Sequence, residues 1–454
     1  MENAYLLPCH PAITSLDPLG VSEIEEPTAW DVITASISLF RSERHTDLHR
    51  LPSLIEDLAY SLHHKGSVNT AFLQHFLTDS YPDARADNAL NLLDAILHSA
   101  LALPTVFPTR EIPYLNLKNP HLHLTDAQVK SLIAHQILGT VKPPKGNAWG
   151  CSFLCWYSSP QPMDSAVRGY LETLFHYMSC ISDNNHSTTY EFYSAPIFKQ
   201  GEYPWQISIA RVFDYLEIDS TEASSVEFPH KSLKYMLIAS NVSPGFGASC
   251  TQEELVTAAC PALLPLGALC VAPPIPSDAA LLTHGIIPVS TWKGQGRHAC
   301  RTGMSIQCSA HGFLLVDATE LDTSESSSLA DLIPKNLERD LLKVYTGFAA
   351  VRRCAATEIA SPLWGAGAFG GDPIVKSLIL AIAAASAGVK IHLSVDKQRQ
   401  IGHESMSLFK TLTDMKSCCS SVQVNNVWRL LNHDRVRSCR DGSSIAEILC
   451  SADF

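Results

Sequence analysis

Apolar residues recur at helical spacing through the first half of the chain and gather in short unbroken runs through the second. Ile55, Leu58, Ala59 and Leu62 share one helical face, as do Leu90, Leu93, Ile96 and Leu97. Thr125-Asp126-Ala127-Gln128 reads as a capping box, with Thr125 as N-cap and Gln128 reaching back. Val129, Leu132, Ile133 and Ile137 then form a buried stripe, which Gly139 ends. Tyr157-Ser158-Ser159-Pro160-Gln161-Pro162 and the polar run 183–188 read as loops.

Beyond about residue 200 the period changes. Tyr235-Met236-Leu237-Ile238-Ala239, Leu269-Cys270-Val271-Ala272, Phe313-Leu314-Leu315-Val316 and 389–395 read as buried strands. Helices fall between them. One begins at Gln252, and a second carries Leu337, Leu341, Val344, Tyr345 and Phe348. A third has Asp372 as N-cap and Pro373 at its first position, runs through Ile374, Leu378, Ile379 and Ile382, and stops at Gly388. Val424, Val427, Trp428 and Leu431 mark the core face of a later helix. This alternation predicts an α/β sandwich with a mixed or parallel sheet over residues 201–454, preceded by a mainly helical accessory region over residues 1–200.

Composition narrows the class. A chain of 454 residues, 46% hydrophobic and 17% charged, buries a sizeable core. Its net charge of −12 argues against general nucleic-acid binding. The 14 cysteines show neither a disulfide framework nor zinc spacing, which points to reduced thiols. The first residues lack the basic and apolar stretches of a secretory signal, and the most apolar run, 377–393, is too short to span a bilayer. The expectation is a soluble protein of the nucleus or cytoplasm, with no membrane partner and no cofactor. His63-His64 and His121-x-His123 lack further ligands at metal spacing and read as surface histidines, so no metal site is expected.

Two glycine-rich turns carry the candidate chemistry. The strand ending near Asn241 runs into Pro244-Gly245-Phe246-Gly247-Ala248-Ser249-Cys250-Thr251-Gln252-Glu253-Glu254. Gly245 and Gly247 would let the main chain approach a ligand closely. Glu253 and Glu254 stand in a first helical turn, where acids also simply complement the dipole. Adjacent helical residues point about 100° apart, so two carboxylates there serve two different atoms. The second turn is Trp364-Gly365-Ala366-Gly367-Ala368-Phe369-Gly370-Gly371-Asp372-Pro373. Glycine turns that open helices suit phosphates, because free N–H groups and the dipole end face the ligand. Gly365, Gly367 and Gly370 also match the dinucleotide fingerprint. However, 357–362 is a poor strand, the helix starts beyond the motif, and Asp396 lies 26 residues past Gly370.

Together these blocks resemble the poly(ADP-ribose) glycohydrolase family, whose signature is a glycine run followed by Gln-Glu-Glu. The second turn is similar to the family's diphosphate-binding loop almost residue for residue, and the likeness extends over about 110–435. The resemblance implies a macrodomain-like three-layer α/β/α sandwich with a helical accessory layer. It implies cleavage of the ribose–ribose O-glycosidic bonds of poly(ADP-ribose) on modified proteins, with ADP-ribose as product and a place in the DNA damage response. Glu254 maps to the catalytic acid, and Glu253 to the residue that positions the ribose. Val226 and Glu227 resemble the adenine contact and Asn241 an active-site asparagine. Gln252, Trp364, Gly365, Gly367, Ala368, Phe369 and Gly370 complete the implied substrate site, with Gly245 and Gly247.

Several positions depart from the family pattern. The three consecutive glycines are reduced to Gly245-Phe246-Gly247, and Ile238 stands where the family has an acid. A family tyrosine that packs on the ligand falls near Thr283-His284-Gly285-Ile286, and another aromatic at Leu393 or Ser394. A non-cleaving poly(ADP-ribose)-binding module and a dinucleotide-dependent oxidoreductase are the alternatives the sequence leaves open.

Overall fold

Side-chain alternation along the strands sorts the apolar residues into two cores, one on each face of a single sheet. Met236 and Ile238 face one core while Tyr235 and Leu237 face the other. Phe313 and Leu315 divide from Leu314 and Val316 in the same way. Such strands, buried on both faces, belong in the middle of a layered α/β structure.

The structure is a computed structural model describing residues 4–43, 46–63, 68–142, 153–180, 186–199, 202–221, 225–226, 233–271, 274–304, 309–321, 329–401 and 406–451. Its main sheet has eight strands: β1 His121–Thr125, β2 Ser187–Ser194, β3 Leu216–Thr221, β4 Tyr235–Ala239, β5 Ala279–Ile286, β6 His311–Val316, β7 Glu358–Ser361 and β8 Lys390–Asp396. Their spatial order is β1-β2-β5-β6-β4-β7-β8-β3. The block β6-β4-β7-β8-β3 is parallel throughout, and β5, β2 and β1 extend it antiparallel. The fold is thus an α/β sandwich with a mixed sheet.

The longer helices, in chain order, are α1 Ala29–Ser42, α2 Leu51–His63, α3 Ala71–Ser80, α4 Asp87–Leu101, α5 Asp126–Ile137, α6 Asp164–Ser179, α7 Gln252–Ala259, α8 Pro334–Arg353, α9 Pro373–Ala387, α10 Leu408–Cys418, α11 Val424–Leu431 and α12 Gly442–Ser451. Helices α1 to α7 lie with the core on one face of the sheet, and α8 to α12 with the core on the other. The α5 capping box forms between Thr125 and Gln128. Asp372 caps α9, Pro373 is its first residue, and Gly388 ends it at φ +69°. Helix α9 is apolar on nearly every side because α8 and the C-terminal helices surround it.

Three local expectations are corrected. Leu269 and Cys270 lie in a helical turn, Leu266–Cys270, rather than a strand; Ala272 is outside the described residues. A short apolar run flanked by prolines fits either state. Here Gly267 packs so closely on the Pro244 carbonyl that a Cβ would collide with it. Conversely, Glu358–Ser361 is a strand, held by parallel neighbours on both sides despite its poor propensity. Ser187 and Thr188, expected in a loop, open the strand 187–194, which with 121–125 joins the mainly helical half to the sheet. Among the described residues no helix is long and apolar enough to cross a membrane.

Candidate active site

The parallel strands β3, β4, β6, β7 and β8 end on one edge of the sheet, the usual place for a ligand in such folds. A cleft of about 620 Å³ opens there, between the turn after β4 and the turn after β7.

The first turn is built inward. Thr251 caps α7 through a box with Glu254: the Glu254 N–H faces Thr251 Oγ1, and Glu254 Oε2 accepts from Thr251 N at 3.0 Å. Gln252 Oε1 accepts from Ala239 N at 3.1 Å, fixing the helix start to the end of β4. Both oxygens of Glu253 are engaged, Oε2 by Asn241 N at 2.6 Å and Oε1 by Gly245 N at 3.1 Å. Burial pushes Glu253 up to about 8, against those two hydrogen bonds and with the charges of Glu254 and Asp317 adding to the rise. Burial also raises Glu254, opposed by the backbone N–H groups of Thr251, Cys250 and Ser249. Glu254 Oε1 makes no hydrogen bond among the described residues. One carboxylate holds the loop, and the other presents a spare oxygen at the cleft.

Gly245 and Gly247 do not face the ligand space, contrary to expectation. The Gly245 N–H is spent on Glu253, and the Gly247 carbonyl accepts from Trp156 Nε1 at 2.8 Å. Phe246 between them is buried against Phe153 and Trp156, with ring centroids 4.8 and 5.0 Å away. The helical region thus packs directly on the loop that carries the carboxylates.

The second turn is open. Gly365 and Gly370 have φ of +73° and +72°, the left-handed region that favours glycine. Gly371 N bonds to Gly365 O at 3.0 Å, and Gly370 N to Gly367 O at 2.9 Å. The N–H groups of Gly367, Ala368 and Phe369 have no acceptor among the described residues, and all three residues line the cleft. Consecutive free amides of this kind form an anion-binding concavity. Beneath the turn lies the fully buried Lys376, 2.5 Å from Asp340 and 3.0 Å from Asp331. A Cβ on Gly371 would collide with its side chain, so that glycine is dictated by the lysine below.

Not every expected residue reaches the cleft. Asn241, Gln252, Glu253, Glu254, Gly365, Gly367, Ala368 and Phe369 line it. Trp364 is buried and donates from Nε1 to Val316 O at 2.9 Å; it anchors the turn to β6 from within. Gly370 shapes the turn but does not line the cavity. Val226 pairs with Trp292 in a small separate sheet, and Glu227 lies outside the described residues, as does the side chain of His63 and all of His64. Ile286 is fully buried in β5, paired with His311, so the tyrosine position does not fall there. Gln295 and Gly296 line the cleft instead, tied by Gly296 N to Cys250 O at 3.0 Å. Of the other expected pair, Ser394 faces the cleft and Leu393 the core.

Sequence reasoning passed over Arg399. Among the described lining residues it is the cation, beside Glu253, Glu254, Glu320 and Asp396. Its Nη2 donates to Ala366 O at 2.7 Å, which sets the guanidinium against the open turn. Its signal in the sequence was only a basic residue shortly after a strand end.

The chain matches two domain descriptions of one family: the poly(ADP-ribose) glycohydrolase macro domain fold over residues 214–402 and its helical domain over residues 82–193. Solved structures that the chain is similar to include the enzyme of that name from Deinococcus radiodurans in complex with ADP-ribose. It is 12% identical, with 51% of this chain and 95% of that one covered and a TM-score of 0.31. The enzyme from Thermomonospora curvata bound to the inhibitor ADP-HPD is 15% identical, with 46% and 78% covered and a TM-score of 0.26. With both domains matched in order over about two thirds of its length, the chain belongs to the poly(ADP-ribose) glycohydrolase family.

Proposed function

We propose that this protein hydrolyses the ribose–ribose O-glycosidic bonds of poly(ADP-ribose) on modified proteins and releases ADP-ribose, with Glu254 as general acid and base. The observation that carries this reading is the shared cleft. It holds a buried carboxylate with one unpaired oxygen and, across from it, three unpaired amides beside an arginine. The amides and Arg399 suit a diphosphate, and the carboxyl suits a bond that needs a proton on its leaving oxygen.

In this mechanism protonated Glu254 donates to the departing ribose oxygen as an oxocarbenium-like centre develops. The resulting carboxylate then takes a proton from the attacking water, so one group performs both transfers. Burial, which raises Glu254, keeps the proton available for the first step. Glu253, with both oxygens already bonded to the loop, acts by fixing Asn241 and Gly245. Ionising it beside Glu254 would add a second negative charge, which its raised pKa resists.

The test is incubation with polymer-modified protein, followed by chromatography for free ADP-ribose. Release by the wild type and its loss in Glu254→Gln with retained binding support the proposal. Binding of ADP-ribose with no release by the wild type would leave a non-cleaving polymer-binding module.

A further inference from the structure

At the sheet edge opposite the cleft, four elements bring unlike polar side chains together. His284 comes from β5, Glu191 from β2, Cys354 from the C-terminal end of α8, and Tyr235 from the start of β4. One donor atom each from Glu191, His284 and Cys354 lies within 4.8 Å of the other two. His284 Nε2 stands 3.4 Å from Glu191 Oε2, and His284 Nδ1 is 3.0 Å from the Tyr235 hydroxyl.

The backbone is shaped to aim these groups. The β5–β6 register slips between His311 and Phe313, so His284 and Gly285 together oppose Gly312. Gly285 has φ +76°, and such a bulge redirects the side chain beside it. Gly312 has no room for a Cβ because the Tyr235 ring lies across it on the way to His284. Two glycines and a bulge thus set one histidine between a tyrosine and a glutamate.

We propose that Glu191, His284 and Cys354 form a zinc site, with Tyr235 holding the histidine ring from behind. Imidazole, thiolate and carboxylate are zinc's usual ligands, and three protein donors leave a fourth position for water. With zinc bonds of about 2.0–2.3 Å, donors on a tetrahedron stand roughly 3.3–3.7 Å apart. The His284–Glu191 separation of 3.4 Å already matches such an edge. Cys354, within 4.8 Å of both, has at most roughly 1 Å to close, within the reach of a side-chain rotation. With Nε2 on the metal, the ring proton sits on Nδ1, 3.0 Å from the Tyr235 hydroxyl that would accept it, the arrangement common to metal-bound histidines. On binding, the Cys354 S–H bond breaks, sulfur bonds to the metal, and the proton passes to buffer. With Glu191 and His284 side chains 13% and 28% exposed, the site is sheltered but open to an ion. The ion would tie the end of α8 to the sheet, away from the cleft.

The test is calorimetric titration of the chelator-treated full chain with zinc chloride. The proposal expects one tight equivalent per chain, with proton release, and a rise in melting temperature. Cobalt in its place should give a thiolate charge-transfer absorption band. Cys354→Ser should lose the band, and Cys354→Ser and His284→Ala the equivalent. Tyr235→Phe, which keeps all three donors, should bind about 10–100-fold more weakly. Glu191→Gln carries the same test if either deletion fails to fold. Absence of binding at micromolar zinc, or an equivalent that persists in the ligand variants, would overturn the assignment.

Discussion

The Trp156 indole donates to the Gly247 carbonyl at 2.8 Å, so the helical region grips the backbone of the loop that presents Glu253 and Glu254. Phe153 stacks on the same indole, with centroids 4.7 Å apart. Trp156→Phe keeps an aromatic ring in the stack and strands the carbonyl. A buried acceptor left without its donor costs about 1–3 kcal/mol. Turnover should fall through a looser loop while ADP-ribose affinity at the second turn changes little. Steady-state kinetics beside calorimetry separates the two; an equal loss in both would point to general unfolding.

Glu254→Gln should reduce turnover by about 10²–10⁴-fold with binding intact, the range attributed to general acid–base catalysis. In the proposed mechanism the first step needs the protonated carboxyl. The rate should therefore fall as pH rises through the Glu254 pKa, which burial holds above the ordinary carboxylate range. The residual activity of the glutamine variant should lack that fall. A wild-type profile flat through this window would count against the assignment.

Glu253 links the site to stability. Its folded pKa of about 8 lies above the ordinary 4.5, so folding favours the protonated form. Its contribution is fully present below about pH 4.5 and is lost as pH rises towards 8. The full shift corresponds to something on the order of 5 kcal/mol. Denaturant titrations between these limits should show the wild type weakening with pH and Glu253→Gln weakening less. Identical slopes for both would mean the carboxyl ionises freely in the fold.

Much of this fold was legible because its signals were local. Thr125-Gln128 and Asp372-Pro373 mark helix starts through caps that depend on a few neighbouring residues. Strands at 235–239 and 311–316 are apolar on both faces, as their burial requires. Glu358–Ser361 was illegible because its neighbours β4 and β8, far off in sequence, decide its state. The site divides the same way. Glu254, Gly367 and Ala368 were readable from two compact motifs. The inward roles of Gly245 and Gly247 depend on Glu253 and on Trp156, which lies 91 residues from Gly247. Gln295, Ser394 and Arg399 reach the cleft only through the fold, and no motif announces them.

The open turn makes its own prediction. A Cβ on Gly367 meets nothing within 4 Å, so Gly367→Val should fold normally while its side chain obstructs the free amides. Gly370→Val, at φ +72°, should also destabilise the protein, by roughly 1–2 kcal/mol for a left-handed residue. Arg399→Ala should weaken ADP-ribose binding in a salt-dependent way, and Arg399→Lys should recover part of it. Calorimetry at two salt concentrations reads all four variants. Unchanged affinity in Gly367→Val and Arg399→Ala together would leave the turn a structural feature only.

The rim of the cleft allows a sharper comparison. Gln295 is exposed beside Cys250, where an added aromatic ring could lie over a bound ligand. Gln295→Tyr supplies that contact and a hydroxyl, and one hydrogen bond is worth about 0.5–1.5 kcal/mol. Affinity for ADP-ribose should tighten by up to about tenfold, since 1.4 kcal/mol corresponds to a factor of ten. Ile286→Tyr is the control. Ile286 is fully buried in β5, away from the cleft, so the larger side chain overfills the core at about 1–3 kcal/mol and adds no contact to the ligand. Its affinity per folded molecule should match the wild type. Tighter binding by the Ile286 variant and none by the Gln295 variant would place the ligand outside this cleft, and the roles given to Glu254 and the open turn would fall with it.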